Sequence, residues 1–208
     1  MTRVATTTAL VGLLSIGLSF GAVAGCAGRK DAQVRKEALT PDIVGNWKSP
    51  VTAMNPNQAF QLDFKIAKDI WAVDYTVYGD VKGTSPFVTV HIEGPYEIGE
   101  PSSVVAGAFD ARFGITRKTL LPHHADAAAF LNGAGGKVQG FKAGEALDIT
   151  ATGFAPFGQY PVSQVNADYD LVMLDGDKLY FGERPADNDM GTPAKRPRSL
   201  AKVYSVKY

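Results

Sequence analysis

Cysteine is almost absent: Cys26 is the only one in 208 residues. A single thiol makes no internal disulfide and no CxxC zinc site, and nothing around Cys26 would tune it as a nucleophile. Net charge is absent as well, since 21 Lys and Arg balance 21 Asp and Glu. No global field therefore attracts nucleic acid. There is no GxSxG nucleophile elbow and no GxxxxGKS/T phosphate loop. Histidine is scarce, with three residues. His91-x-Glu93 puts an imidazole and a carboxylate on one strand face, but that face is the polar one. His123 and His124 sit at an expected helix start, where adjacent side chains diverge, so neither site predicts a metal centre. Asp187-Asn188-Asp189 and Asp175-x-Asp177 lack the spacing of a calcium loop and read as turns. Asp170, Glu183, Arg184 and Asp187 are the charged residues close enough in sequence to line a cleft. The expectation is a protein without cofactor, metal or catalytic residues, and not an enzyme.

What is present begins at the amino terminus. Arg3 is the only charge before Cys26, Val4 to Phe20 is apolar or Gly, Ser and Thr, and the run closes on small residues. This is the pattern of a secretory signal whose apolar run is too short to span a bilayer. Val23-Ala24-Gly25-Cys26 resembles the bacterial lipobox. That resemblance implies cleavage after Gly25 and acylation at Cys26, including a diacylglycerol thioether. Several acyl chains hold a protein on a membrane at roughly 0.8 kcal/mol per buried CH₂. Residues 1–25 are thus expected to be a signal peptide and residues 26–44 a polar, lipidated tether, with a single domain over 45–208. Ala27 is not the aspartate that retains many enteric lipoproteins at the inner membrane. By that resemblance the predicted location is the outer membrane, facing the periplasm.

Beyond Gly45 the dominant period is two. Phe60-Leu62-Phe64-Ile66, Trp71-Val73-Tyr75-Val77 and Val88-Val90-Ile92 each alternate with polar residues, which predicts half-buried strands. Leu147-Ile149 and Leu171 to Leu174 continue the pattern. Asp175-Gly176 then predicts a tight hairpin returning through Leu179 to Phe181. Only Pro122 to Leu131 reads as a helix, with Pro in its first turn and Asn132-Gly133 as its stop. Many antiparallel strands and one helix predict an all-β, lipocalin-like barrel, closed or partly open, because closure removes open edges. A β-sandwich is the alternative. An outer-membrane barrel is a third, since Leu200, Tyr204, Val206 and Tyr208 share a face of the final strand, but Lys202 on that face argues against it.

Two resemblances sharpen this. Gly45-x-Trp47 resembles the opening signature of lipocalins, which implies that Trp47 plugs one barrel end beneath an arginine from the last strands: Arg184, with Arg196 and Arg198 as alternatives. A longer set of segments runs in order from Gly45-x-Trp47-x-Ser49 through Trp71, Tyr78-x-Asp80, Pro86-Phe87, Gly94-x-Tyr96 and Gly107-Ala108. It continues with Leu131-Asn132, Asp148-x-Thr150, Tyr169-Asp170-Leu171, LYFGERPAD (Leu179 to Asp187) and Pro193-x-Lys195-Arg196-Pro197. This order resembles the domain of the adenomatosis polyposis coli down-regulated family. The resemblance implies a barrel-like domain with an apolar cavity suited to an acyl chain, and no catalytic residue. The chain departs from animal members in having one such domain and none of their paired cysteines. With a bacterial lipobox, the first departure removes a Wnt partner, and the second leaves packing alone to hold the domain.

The residues agree in kind. Phe60, Phe64, Trp71, Val73 and Tyr75 make an apolar interior stripe, the candidate lining of a ligand cavity. Eight methylenes buried there contribute on the order of 6 kcal/mol before association costs. The expected function is an envelope lipoprotein that binds a fatty acid, phospholipid chain or other apolar ligand non-covalently. The alternative is a filled barrel that meets an envelope protein partner through Leu179 to Asp187.

Overall fold

The computed structural model describes residues 40–208. Cys26, the expected signal peptide and all but the end of the expected tether lie outside the described residues. The described chain forms eleven strands and one α-helix.

Strands β3 (Gln58–Ala67), β4 (Ile70–Tyr78) and β5 (Pro86–Pro101) form an antiparallel meander. Its register sorts the alternating residues into rows across the sheet. Phe64 pairs with Val73 and Val73 with Ile92, while Leu62 pairs with Tyr75 and Tyr75 with Val90, all on the inner face. The outer face carries the row Asp63, Asp74, His91. There His91 Nδ1 lies 2.6 Å from Asp74 Oδ1 and Nε2 lies 3.3 Å from Glu93 Oε2. The hydrogen bond to Asp74 holds the imidazole above its usual pKa. His91 thus serves a surface polar network, and among the described residues no group of three or more His, Cys, Asp and Glu is placed to hold a metal ion.

One edge of β5 is shared by two strands in succession. Tyr96 to Pro101 pairs with β6 (Phe109–Gly114), and Val88 to Glu93 pairs with β7 (Arg117–Pro122). β6 next pairs with β9 (Ala167–Asp175), β9 with β10 (Lys178–Gly182), and β10 with β11 (Leu200–Lys207). β11 pairs with β1 (Gly45–Lys48), and β1 returns to β3. Eight antiparallel strands therefore close a barrel in the order β1-β3-β4-β5-β6-β9-β10-β11. The Asp175-Gly176 hairpin joins β9 to β10 as expected, with Gly176 at φ 60°. Short strands β2 (Thr52–Asn55) and β8 (Leu147–Asp148) extend β3 and β7 outside the ring.

The helix, α1, spans Ala125–Gly133, three residues later than the sequence pattern predicted at its start. Pro122 ends β7 opposite Val88 instead of opening the helix. His124 is the N-cap: its backbone is extended (φ −150°) and its ring accepts from the Ala127 N–H at 3.4 Å. Asn132 fastens the following loop, accepting from Gly140 N and Phe141 N and donating to the Phe141 carbonyl. Leu131, Phe141, Ile149 and Phe154 form an apolar cluster with Val88 and Val90 of β5 and Leu120 of β7. The main cluster lies inside the barrel and includes Ile43, two residues before the expected domain boundary.

Trp47 is buried in that cluster, and its Nε1–H donates to the Ile43 carbonyl at 2.8 Å. The cation over its indole is Lys207, 5.3 Å from the ring centroid. The expected stacking of Arg184 on Trp47 is therefore replaced by a lysine of the pairing strand, since Trp47 sits directly opposite Lys207 across the β1–β11 seam. Arg196, one of the alternatives, lies instead over Tyr169, donates to the Ala111 carbonyl at 2.7 Å and also bonds the Asp170 carbonyl.

Candidate functional site

The barrel encloses a cavity of about 400 Å³. Its aromatic and aliphatic wall comes from the meander: Phe60, Leu62 and Phe64 on β3, Trp71, Val73 and Tyr75 on β4, Val90 and Ile92 on β5. All five residues expected to line an interior stripe, Phe60, Phe64, Trp71, Val73 and Tyr75, thus face one space. Phe64 stacks on Phe181 with ring centroids 4.4 Å apart, and Trp71 meets Phe113 edge-on at 5.1 Å. These contacts close the deep end.

The void has an identifiable origin on the opposite wall. β11 turns Ala201, Val203 and Ser205 inward, so no bulky side chain crosses from that side. Its aromatic residue faces out, where Tyr204 packs against Tyr180 with centroids 5.7 Å apart under Lys178. The shared face of Leu200, Tyr204, Val206 and Tyr208 is this outer one.

Trp71 does more than line the cavity. Its Nε1–H donates to the Gly114 carbonyl at 2.8 Å, fastening β4 to the end of β6. Trp71 pairs with Gly94 on β5, and a Cβ at Gly94 would stand 2.2 Å from the Gly114 oxygen. The two glycines let backbones approach where β5 changes partner from β7 to β6, and the indole covers that approach.

The apolar cavity has one polar wall, which periodicity did not reveal. Lys118 on β7 continues the inner row Phe64, Val73, Ile92 and is only 4% exposed. Its Nζ donates to the Tyr160 carbonyl at 3.2 Å, and burial lowers its pKa. Asp168 and Asp170 project inward from β9, each 5% exposed. Arg184, just past β10, forms an ion pair with Asp168 and donates to Asn188 Oδ1 at 2.8 Å. Asp170 Oδ1 accepts from the Leu171 and Gly182 N–H groups at 2.7 and 2.9 Å. Burial nonetheless pushes its pKa up to about 7. Glu183 points instead to Ser199, and Asp187 closes a turn by accepting from Asp189 N, so of the four charged residues near one another in sequence only Asp170 and Arg184 reach the cavity.

Two signals for this wall were present in the sequence. Phe109-Asp-Ala-Arg-Phe113 alternates like a strand, and so does Ala167 to Val172 once its acids are allowed to face inward. Lys118 and the two aspartates hide the period because they stand where an apolar residue is expected. No protein-family model and no curated protein matches this chain.

Proposed function

We propose that the protein is a carrier lipoprotein of the bacterial envelope. It is anchored through acylated Cys26 at the outer membrane, facing the periplasm, and binds an acyl chain or another apolar ligand non-covalently inside its barrel. The observation that supports this most directly is the 400 Å³ cavity walled by aromatic and aliphatic side chains, a volume at the lower end of small-molecule sites. A filled interaction barrel would put bulky residues where Ala201, Val203 and Ser205 stand. The anchor rests on the lipobox-like run at Val23 to Cys26, and the segment order shared with the adenomatosis polyposis coli down-regulated domain supports an acyl-binding interior. Binding requires no covalent step, and release is governed by the apolar area returned to water.

Native and denaturing mass spectra of the purified protein test the reading. A stoichiometric fatty acid or phospholipid that leaves on denaturation is the expected result. A clean apo mass, with no uptake of added fatty acid, would overturn it and direct attention to protein partners around Leu179 to Asp187. Ala201→Phe supplies a second arm. The ring enters the void from the β11 wall, so lipid uptake is expected to fall by at least tenfold while circular dichroism and the melting temperature hold; about 1.4 kcal/mol of lost binding is enough for that change.

A further inference from the structure

The polar wall holds a cation without a carboxylate of its own in a place where charge is costly. Lys118 is 4% exposed, and its recorded protein acceptor is a single backbone carbonyl, that of Tyr160. An ammonium has three N–H donors, so two remain for something inside the cavity. Among the described residues no carboxylate lies within ion-pairing distance of Lys118 Nζ. The nearest acid in electrostatic terms is Asp168, and Asp168 is already paired with Arg184. The only carboxylate that acts on Lys118 is thus one already committed to a guanidinium. Asp170, the other inward acid, is engaged by two backbone N–H groups and by the charge of Arg184, not by Lys118. A buried cation without its own counter-ion is expensive unless a partner arrives.

Position gives that partner its shape. Lys118 stands in the same row as Ile92, Val73 and Phe64, so a group bonded to its ammonium lies directly against the apolar wall. A volume of 400 Å³ suits one chain rather than the two of a phospholipid.

We infer that Lys118 receives the head group of the ligand: its ammonium binds the carboxylate of a single-chain fatty acid whose tail lies along Phe64, Trp71 and Val73. The assignment rests on the carrier reading above and names the ligand class within it. The carboxylate supplies the missing counter-ion and accepts the two remaining N–H donors, as a charge-assisted pair in a low-dielectric site. Arg184 remains with Asp168 and Asn188 at the mouth.

The test compares dodecanoic acid with dodecan-1-ol, which share a tail and differ in the head, on the delipidated full-length protein at pH 7. The wild type is expected to bind the acid about 10- to 100-fold more tightly than the alcohol, the range for a hydrogen-bonded charge. Lys118→Met keeps the length and removes the charge; it should abolish the preference, and Lys118→Arg should restore it. Equal binding of acid and alcohol by the wild type overturns the head-group assignment while the carrier reading stands, and that comparison needs no variant to fold. Persistence of the preference in Lys118→Met, with near-ultraviolet dichroism unchanged, also overturns it. If the wild type binds neither probe, the carrier reading itself falls and the assignment with it.

Discussion

Trp71→Ala is expected to destabilise the protein by about 3–5 kcal/mol, the range for removing a fully packed aromatic ring from a core. The side chain is 3% exposed, meets Phe113 edge-on and bonds the Gly114 carbonyl, so three losses coincide: packing, an aromatic contact and the partner of a buried acceptor. For a domain of this size that corresponds to a fall in melting temperature of roughly 10 °C. Trp71→Phe separates the contributions. It retains one aromatic ring but loses the N–H donor and about a third of the ring atoms, so a cost between those of wild type and Trp71→Ala is expected. Urea titration of both variants is the measurement. A Trp71→Ala midpoint within 1 kcal/mol of wild type would show that the glycine corner between β5 and β6 holds without its cover. The same experiment warns against reading lost ligand binding in Trp71→Ala as lost contact, since the wall and the fold depend on the same indole.

The second large effect concerns pH. Asp170 has a pKa of about 7 in the folded barrel against 3.8 for a free aspartate, because burial disfavours its charge more than its hydrogen bonds favour it. The folded state therefore holds a proton that the unfolded chain has released, and stability must fall as pH rises from about 4 to about 7, levelling off above. The loss amounts to about 4 kcal/mol over that window. Asp170→Asn keeps the shape and an acceptor for Leu171 and Gly182 but cannot ionise. It is expected to flatten the pH dependence and to leave the protein more stable than wild type at pH 8. A wild-type curve that is flat or rising between pH 4 and 7, relative to the variant, would contradict the assignment. The site is confined on the β10 side: a Cβ at Gly182 would come 2.4 Å from Asp170 Oδ1 and 2.6 Å from Pro197 Cβ, so only glycine permits this carboxyl.

The barrel was legible in the sequence where alternation and burial coincide. Phe60 to Ile66, Trp71 to Val77 and Val88 to Ile92 alternate because one face meets the interior and the other water, and the Asp175-Gly176 turn carries its own backbone requirement. The stretch from Phe109 to Pro122 was missed for two reasons. Gly114 to Thr116 interrupts what is otherwise one long strand beside β5, and Lys118 sits at an inward position where a lysine reads as surface. The helix was found and misplaced, because Pro122 fits a first helical turn and a strand end equally well until its partner Val88 is known. For the cavity, the wall residues could be named from period alone. Whether their interior was filled depended on β11, whose inward Ala201, Val203 and Ser205 acquire meaning only when β1 and β10 are placed on either side of it. The polar wall was only partly legible for the converse reason: Asp170 and Arg184 stood out as neighbours in sequence, but hydrophobic patterning assigns charges to solvent, and here Lys118, Asp168, Asp170 and Arg184 all line the cavity.

Among the described residues the seam between β1 and β11 joins the first strand in chain order to the last, and the small-residue wall lies on that last strand. Until β11 docks, β1 and β10 are both open edges and the aromatic stripe of β3 and β4 looks out through a slot. Docking of β11 therefore closes the ring and completes the cavity wall in one step. On the carrier reading proposed above, a lipid present at that moment would be enclosed as the gap shuts.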